Sequence, residues 1–468
     1  WDKTPDATVP TVPTFPTTPP AVEVLSLRGT GNSYIKTYTY DLAGNRTSFV
    51  LTKDGETVHN IVYQYDALNR LTSVAQSGLT FARYEYDANG NRTRLTYPTT
   101  GTVTDYAYNL ANWVTDLFSE DDRGITLADC SYTYYASGNR RGETDGVNST
   151  NTTYIYDDLG RLVQESETAG LTVQYAYDSA GNRTRMAVSG TEKYTVSYTY
   201  DKNNLLSEEH RTVGGITTTT DYAYDANGNL IRKSTPNGAE LYDYNGFNQL
   251  TVLKQGGTAT TYAYNASGIR TAKRTVNGGT YFLLDGGNVV AEYTDGAQTA
   301  FSVWGINLIS RKSGGTTKFY VQDAHGDVVC VTENTGVPIR YYAYDAFGNE
   351  KNPDSTDSNP FRYCGEYFDK ETGSYYLRAR YYDPAIGRFT QQDTHWSPAN
   401  AIYGDNPRKI NERQDALGLT TYAYAPEITA IMQSGNLYVY CVNSPVQYVD
   451  ETGEYATSGQ IHNWVVDD

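Results

Sequence analysis

YEYDANGNR (84–92) is the phrase on which the fold turns. Side chains alternate along a strand with period two, so Tyr84 and Tyr86 lie on one face. Asp87-Ala88-Asn89-Gly90 reads as a turn. The Asp carboxylate accepts from a backbone N–H two residues on, and Gly takes a positive φ without steric cost. Asn91-Arg92 then opens the return strand, so the phrase is a β-hairpin with its connection.

The phrase recurs as YTYDLAGNR (38–46) and YAYDSAGNR (175–183). Looser copies stand at 63–70, 154–161, 222–229, 242–249, 262–270 and 341–349, and one that has lost its Asp, YTYYASGNR, at 132–140. Most steps between copies are 20–25 residues. A propeller blade needs about 40–45 residues for its strands, so this period holds only a hairpin. The hairpins must pair side by side in one long antiparallel sheet, and the right-handed twist of strands makes such a ribbon curl. The fold class is therefore all-β, a long spiral sheet, over residues 31–350.

Composition agrees. Tyr contributes 45 residues against 12 Phe, 5 Trp and 2 Met, and Gly 42. A dry core would use Val, Leu and Phe. Tyr buries its ring yet keeps its hydroxyl in water or hydrogen-bonded, which suits a wall whose inside is wet or touches a guest. With 37 basic and 54 acidic residues the net charge is −17. That sign opposes nucleic-acid binding, which draws most of its affinity from phosphate contacts. It would suit a basic guest. No apolar run reaches the ~18–20 residues of a spanning helix, so no membrane insertion is expected. The four Cys (130, 330, 364, 441) form no CxxC pair, and no zinc spacing joins them to the five His. The Cys read as buried apolar residues, with a Cys364–Cys441 disulfide as the alternative. No cofactor and no metal are expected. Asn-x-Ser/Thr triplets at Asn45, Asn91 and Asn182 belong to the repeat turn itself.

These phrases resemble the YD repeats of the Rhs (rearrangement hotspot) family, which also occur in toxin-complex C-subunits and in teneurins. FRYCGEYFDKETGSYYLRARYYDPAIGRFTQQD (361–393) resembles the opening of the Rhs repeat-associated core, and NLYVYCVNSPVQYVDETGE (436–454) its end. The resemblance implies a hollow β-shell closed at one end by the core as a plug. It implies a carrier that encapsulates and delivers its own C-terminal toxin or effector segment, in a bacterial polymorphic-toxin system, secreted or at the cell surface. It also implies, at most, a single-turnover aspartyl self-cleavage.

Mapped residue by residue, the core signature is Gly387-Arg388-Phe389, the first Asp is Asp393 and the second is Asp450. The cut would fall in Gly453-Glu454-Tyr455, after Glu454. Two carboxylates sharing a proton can activate water, because like charges a few ångströms apart resist joint ionisation. The other reading is that both Asp cap turns. This chain carries Glu451 and Glu454 where the family pattern has Pro and Leu, so self-cleavage is expected to be impaired. A second phrase, DALGL (415–419), keeps Gly-Leu and makes Asp415 the alternative second Asp. His395-Trp396 beside Asp393 reads as packing.

The domains expected are a Thr/Pro-rich linker (1–30), the repeat shell (31–350), the core (351–454) and the start of a variable segment (455–468). That last stretch is too short to fold alone, so the chain is expected to be the carrier part of a longer precursor. The competing function is an extracellular adhesion or scaffold module presenting its sheet to a cell-surface protein or glycan.

Overall fold

A computed structural model describes residues 21–26 and 33–458. Thirty strands, from Ala21–Ser26 to Pro338–Tyr341, form one sheet. Each pairs antiparallel with the next in sequence, without a crossover. The sheet starts earlier than the sequence reading placed it. Ala21–Ser26 lies in the segment read as linker yet pairs with Ser33–Tyr40, because the Pro run stops at Pro20 and AVEVLS has strand alternation. The rest of the linker, residues 1–20 and 27–30, lies outside the described residues, as do residues 31–32 and 459–468.

Within most units the first Tyr of the pair is buried, as Tyr84, Tyr106, Tyr154, Tyr198 and Tyr262 are. The residue between the pair is exposed and the second Tyr half-buried. In most units the second Tyr spends its hydroxyl on the preceding hairpin. Tyr86 donates to Leu71 O at 2.6 Å, Tyr108 to Arg92 O at 2.8 Å, Tyr177 to Leu162 O at 2.7 Å and Tyr264 to Leu250 O at 2.8 Å. This is why Tyr and not Phe repeats: the ring packs inward while the oxygen ties one hairpin to the one before. The register also slips by one residue just before that Tyr, at Glu85/Tyr86, Ala107/Tyr108, Ile155/Tyr156 and Ala223/Tyr224. A bulge bends its strand and increases local twist, so one built into each repeat curls the ribbon steadily.

The concave face is covered by the chain itself in two ways. Strands between 278 and 341 fold back over those between 33 and 134 and share one apolar cluster with them. Tyr34 meets Tyr293 edge-on with centroids 4.9 Å apart, His59 stacks on Phe301, and Tyr97 donates to Tyr320 O at 2.9 Å. The remaining concave face is covered by the core segment. Tyr376, Tyr381 and Ile386 pack onto Tyr198, Tyr222, Tyr242 and Tyr262, and Val446, together with Phe347 of the last repeat turn, onto Tyr154 and Tyr175. The core itself is a small antiparallel sheet, Tyr367–Asp369, Ser374–Leu377, Arg380–Asp383 and Arg388–Phe389. Its rest is mostly irregular and includes the α-helix Ile428–Ser434, which is the only one among the described residues.

Candidate functional site

Asp393 follows the strand Arg388–Phe389, and Asp450 follows the short strand Tyr448–Val449. The signature residues fix the first of these. Gly387 has φ 65°, and a Cβ there would press on the Phe347 ring. Arg388 donates to Asn182 Oδ1 at 3.0 Å and Asn204 O at 2.7 Å, pinning the core to two shell turns. Phe389 lies buried beside Tyr382 and Tyr440.

Both carboxylates are buried and converge on one cation. Arg380 Nη2 lies 2.8 Å from Asp393 Oδ2 and 3.4 Å from Asp450 Oδ2. The guanidinium stacks on Phe389, its centre 3.5 Å from the ring centroid, and donates to Leu437 O and Gly453 O. The far oxygens make turns. Asp393 Oδ1 accepts from His395 N at 2.8 Å, and Asp450 Oδ1 from Glu454 N at 3.1 Å. Each Asp therefore does what the repeat Asp does with one oxygen and turns the other to Arg380. Burial pushes the Asp393 carboxyl up to about 6, against the pull of Arg380. Burial raises Asp450 as well, and lowers Arg380.

A cavity of about 10 Å³ is lined by both Asp, Arg380, Trp396, Glu454 and Tyr455. That is the scale of one water molecule. The segment Gly453-Glu454-Tyr455 thus runs beside two carboxylates and a space on the scale of one water. Gly453, at φ 70°, sits where a Cβ would strike Leu377 O. Asp415 is elsewhere. It turns the exposed hairpin of Lys409–Gln414 and Thr420–Tyr424, its Oδ1 accepting from Leu417 N and Leu419 N at 2.9 Å each. The His395 ring faces Asp405, 2.9 Å away, while its backbone caps Asp393. Sequence reasoning missed Arg380. The signal available was an Arg inside the Tyr-rich run YLRARYYD (376–383), an odd residue for a strand buried throughout.

A continuous ribbon of Tyr-Asp hairpins, curled over its own core segment, defines a repeat shell with an internal plug. The teneurin YD-shell family model matches residues 29–207 and 307–430, and the RHS repeat model matches 200–240 and 224–256. The chain belongs to the YD-shell family. It is 31% identical over 370 residues to the tRNA3(Ser)-specific nuclease WapA of Bacillus spizizenii, a match covering 76% of this chain and 15% of WapA. It is 23% identical over 412 residues to the toxin protein Tse5 of Pseudomonas aeruginosa, covering 85% of this chain and 27% of Tse5. The crystal structure of TcdB2-TccC3-TEV superposes with a TM-score of 0.63 at 18% identity, over 90% of this chain and 21% of that one. The chain thus spans about 15% of the length of the WapA relatives. Its family includes toxin proteins, and no helix among the described residues is long and apolar enough to cross a membrane.

Proposed function

We propose that this chain is the plug-bearing part of a bacterial, secreted or surface-exposed shell that encapsulates and delivers a C-terminal effector. The observation that carries the reading is the core segment. It packs onto the concave face and leads residues 453–455 past a buried carboxylate pair. An adhesive sheet has no use for such a plug. The relatives' activities, a tRNA nuclease and a toxin, suggest the class of effector. Asp393 and Asp450 are the proposed dyad of self-cleavage after Glu454, acting once and slowly in this chain.

The larger cavities between wall and core measure about 270 and 400 Å³. A folded domain of 100 residues has a radius of gyration of about 13 Å, so neither holds one. A folded guest needs more wall than these residues supply. The same observation favours the second reading, a scaffold that presents its outer surface to a protein or glycan. To separate them, a small basic nuclease is fused after Asp468, with and without further YD repeats ahead of Trp1, and digested with an external protease. The carrier reading expects the nuclease to survive in the lengthened shell. Degradation at the free nuclease's rate in both forms overturns it and leaves the scaffold.

A further inference from the structure

The turn at 323–327 breaks the rule that the Asp-x-x-Gly-Asn turns obey. In Asp-x-x-Gly-Asn turns the Asn side chain donates back to the Asp, as Asn91 Nδ2 does to Asp87 Oδ2 at 2.8 Å and Asn182 to Asp178 at 2.9 Å. Here the phrase is Asp323-Ala324-His325-Gly326-Asp327. Asp327 stands in the Asn position, and its side chain has no N–H to give. His325 stands where the other turns carry Ala43, Asn89, Ala180 and Asn227. The backbone turn survives, with His325 N and Asp327 N on Asp323 Oδ1 at 2.9 Å each. The two replaced side chains instead face a third residue, Cys364 of the core.

Their donor atoms converge. Cys364 Sγ lies 3.8 Å and Asp327 Oδ1 3.2 Å from His325 Nδ1, and all three atoms fall within 4.8 Å of one another. Tetrahedral zinc with bonds of about 2.3 Å to S and about 2.0–2.2 Å to N and O sets its ligands roughly 3.3–3.6 Å apart. The remaining contacts orient the set. His325 Nε2 lies 3.3 Å from Tyr448 O, a pure acceptor, so Nε2 carries a proton, and in the neutral ring Nδ1 then presents its lone pair. A backbone carbonyl on the far nitrogen is the usual second partner of a metal-bound histidine. Cys364 N donates to Asp327 Oδ1 at 2.7 Å, and Tyr440 Oη lies 3.6 Å from Sγ. A lone pair facing a carboxylate oxygen at 3.2 Å is two acceptors in contact. Only a proton or a cation between them makes that favourable.

We propose that His325 Nδ1, Asp327 Oδ1 and Cys364 Sγ bind one divalent, borderline-soft cation, zinc by the chemistry of the donor set. The fourth position takes a water from the adjoining 270 Å³ cavity, which His325 and Asp327 help to line. The ion joins a late shell turn to the entry of the core. Through His325 it also reaches the segment leading to Asp450, so it staples plug to wall. The site escaped the sequence reading because its ligands are not at finger spacing: two come from one repeat turn and one from a segment 37 residues later.

The test is cobalt titration of the chelator-stripped 468-residue chain, with zinc displacement. The expected result is one equivalent bound, with tetrahedral visible bands and thiolate charge-transfer absorption. Cys364→Ser should abolish the charge-transfer band. His325→Gln and Asp327→Asn should each weaken binding at least about tenfold, and Cys441→Ser should change nothing. X-ray absorption on the zinc-loaded unmodified chain does not depend on any variant folding, and should give one sulfur at about 2.3 Å among N/O ligands. No stoichiometric binding, a charge-transfer band that survives Cys364→Ser, or a zinc shell with no sulfur or several overturns the proposal. A proton then occupies the contact.

Discussion

Arg270 carries its charge into a cage of phenols. It is 2% exposed, bonds Asp369 and Tyr381 Oη, and stacks 4.2 Å from the Tyr376 ring centroid. Burial pushes Asp369 up, but Arg270 and Lys273 outweigh it and hold the carboxyl below its usual range. Replacing Arg270 with Met leaves a buried carboxylate with Lys273 as its remaining cation. The expected loss is about 3–5 kcal/mol, read by urea unfolding, and Asp369→Asn in the same chain should recover part of it. Asp393 behaves oppositely. Its folded pKa of about 6 lies above the 3.8 of an ordinary Asp. The protonated form is therefore favoured by folding, and the stability it contributes is present below pH 3.8 and lost as pH rises through 6. Wild type should gain about 2 kcal/mol relative to Asp393→Asn between pH 7.5 and 4.5, measured as the difference in unfolding free energy. The same proton matters to cleavage. Glu451→Pro with Glu454→Leu should yield a cut after residue 454, slower above pH 6 and absent with Asp393→Asn, by intact mass. A parent chain that is already fully cut would remove the reason for the double change.

At the scale of the hairpin, the sequence phrase was legible because its signals are local. Period-two Tyr, an Asp with an N–H two residues on and a Gly at positive φ each act within a few residues, as Asp87 does on Asn89 N at 2.9 Å and Asn91 N at 2.8 Å. The bulge before the second Tyr and the destination of its hydroxyl were not legible, since both depend on the neighbouring hairpin. Nor was the choice between Asp415 and Asp450. Both make the same local turn, and only the long-range approach of Arg380 distinguishes them. Two turn glycines separate local from long-range cost. Gly44 has φ 90°, and a Cβ added there would meet nothing within 4 Å, so Gly44→Ala carries backbone strain alone, about 1–2 kcal/mol. Gly228 has φ 79°, a Cβ there would collide with Tyr438 Oη, and its carbonyl accepts from that hydroxyl at 3.0 Å. Gly228→Ala should therefore cost more than Gly44→Ala. Hydrogen exchange should show the extra loss at the core around Tyr438, not only at the turn.

At the scale of the molecule, one ribbon is closed by two different fillings. Residues 33–134 are covered by the ribbon's own later strands, in a cluster to which the core contributes no residue. Residues 194–264 are covered by Tyr376, Tyr381 and Ile386 of the core. The repeats are nearly the same sequence in both halves, so the difference lies in what lies over them. A chain ended after Glu350 therefore tests the architecture directly. It removes every core residue of the second cluster and none of the first. Tyr198, Tyr222, Tyr242 and Tyr262, all buried in the intact chain, lose their cover. Exposed contiguous apolar faces of this kind bind dye and self-associate. The truncated chain should bind anilinonaphthalene sulfonate and aggregate at concentrations where the full chain does not. Amide exchange should rise over residues 194–264 and stay near its original value over 33–134. Uniform loss of protection across both halves would mean that the core nucleates the entire curl. Unchanged protection in both would mean that the Tyr ladder stands without its plug.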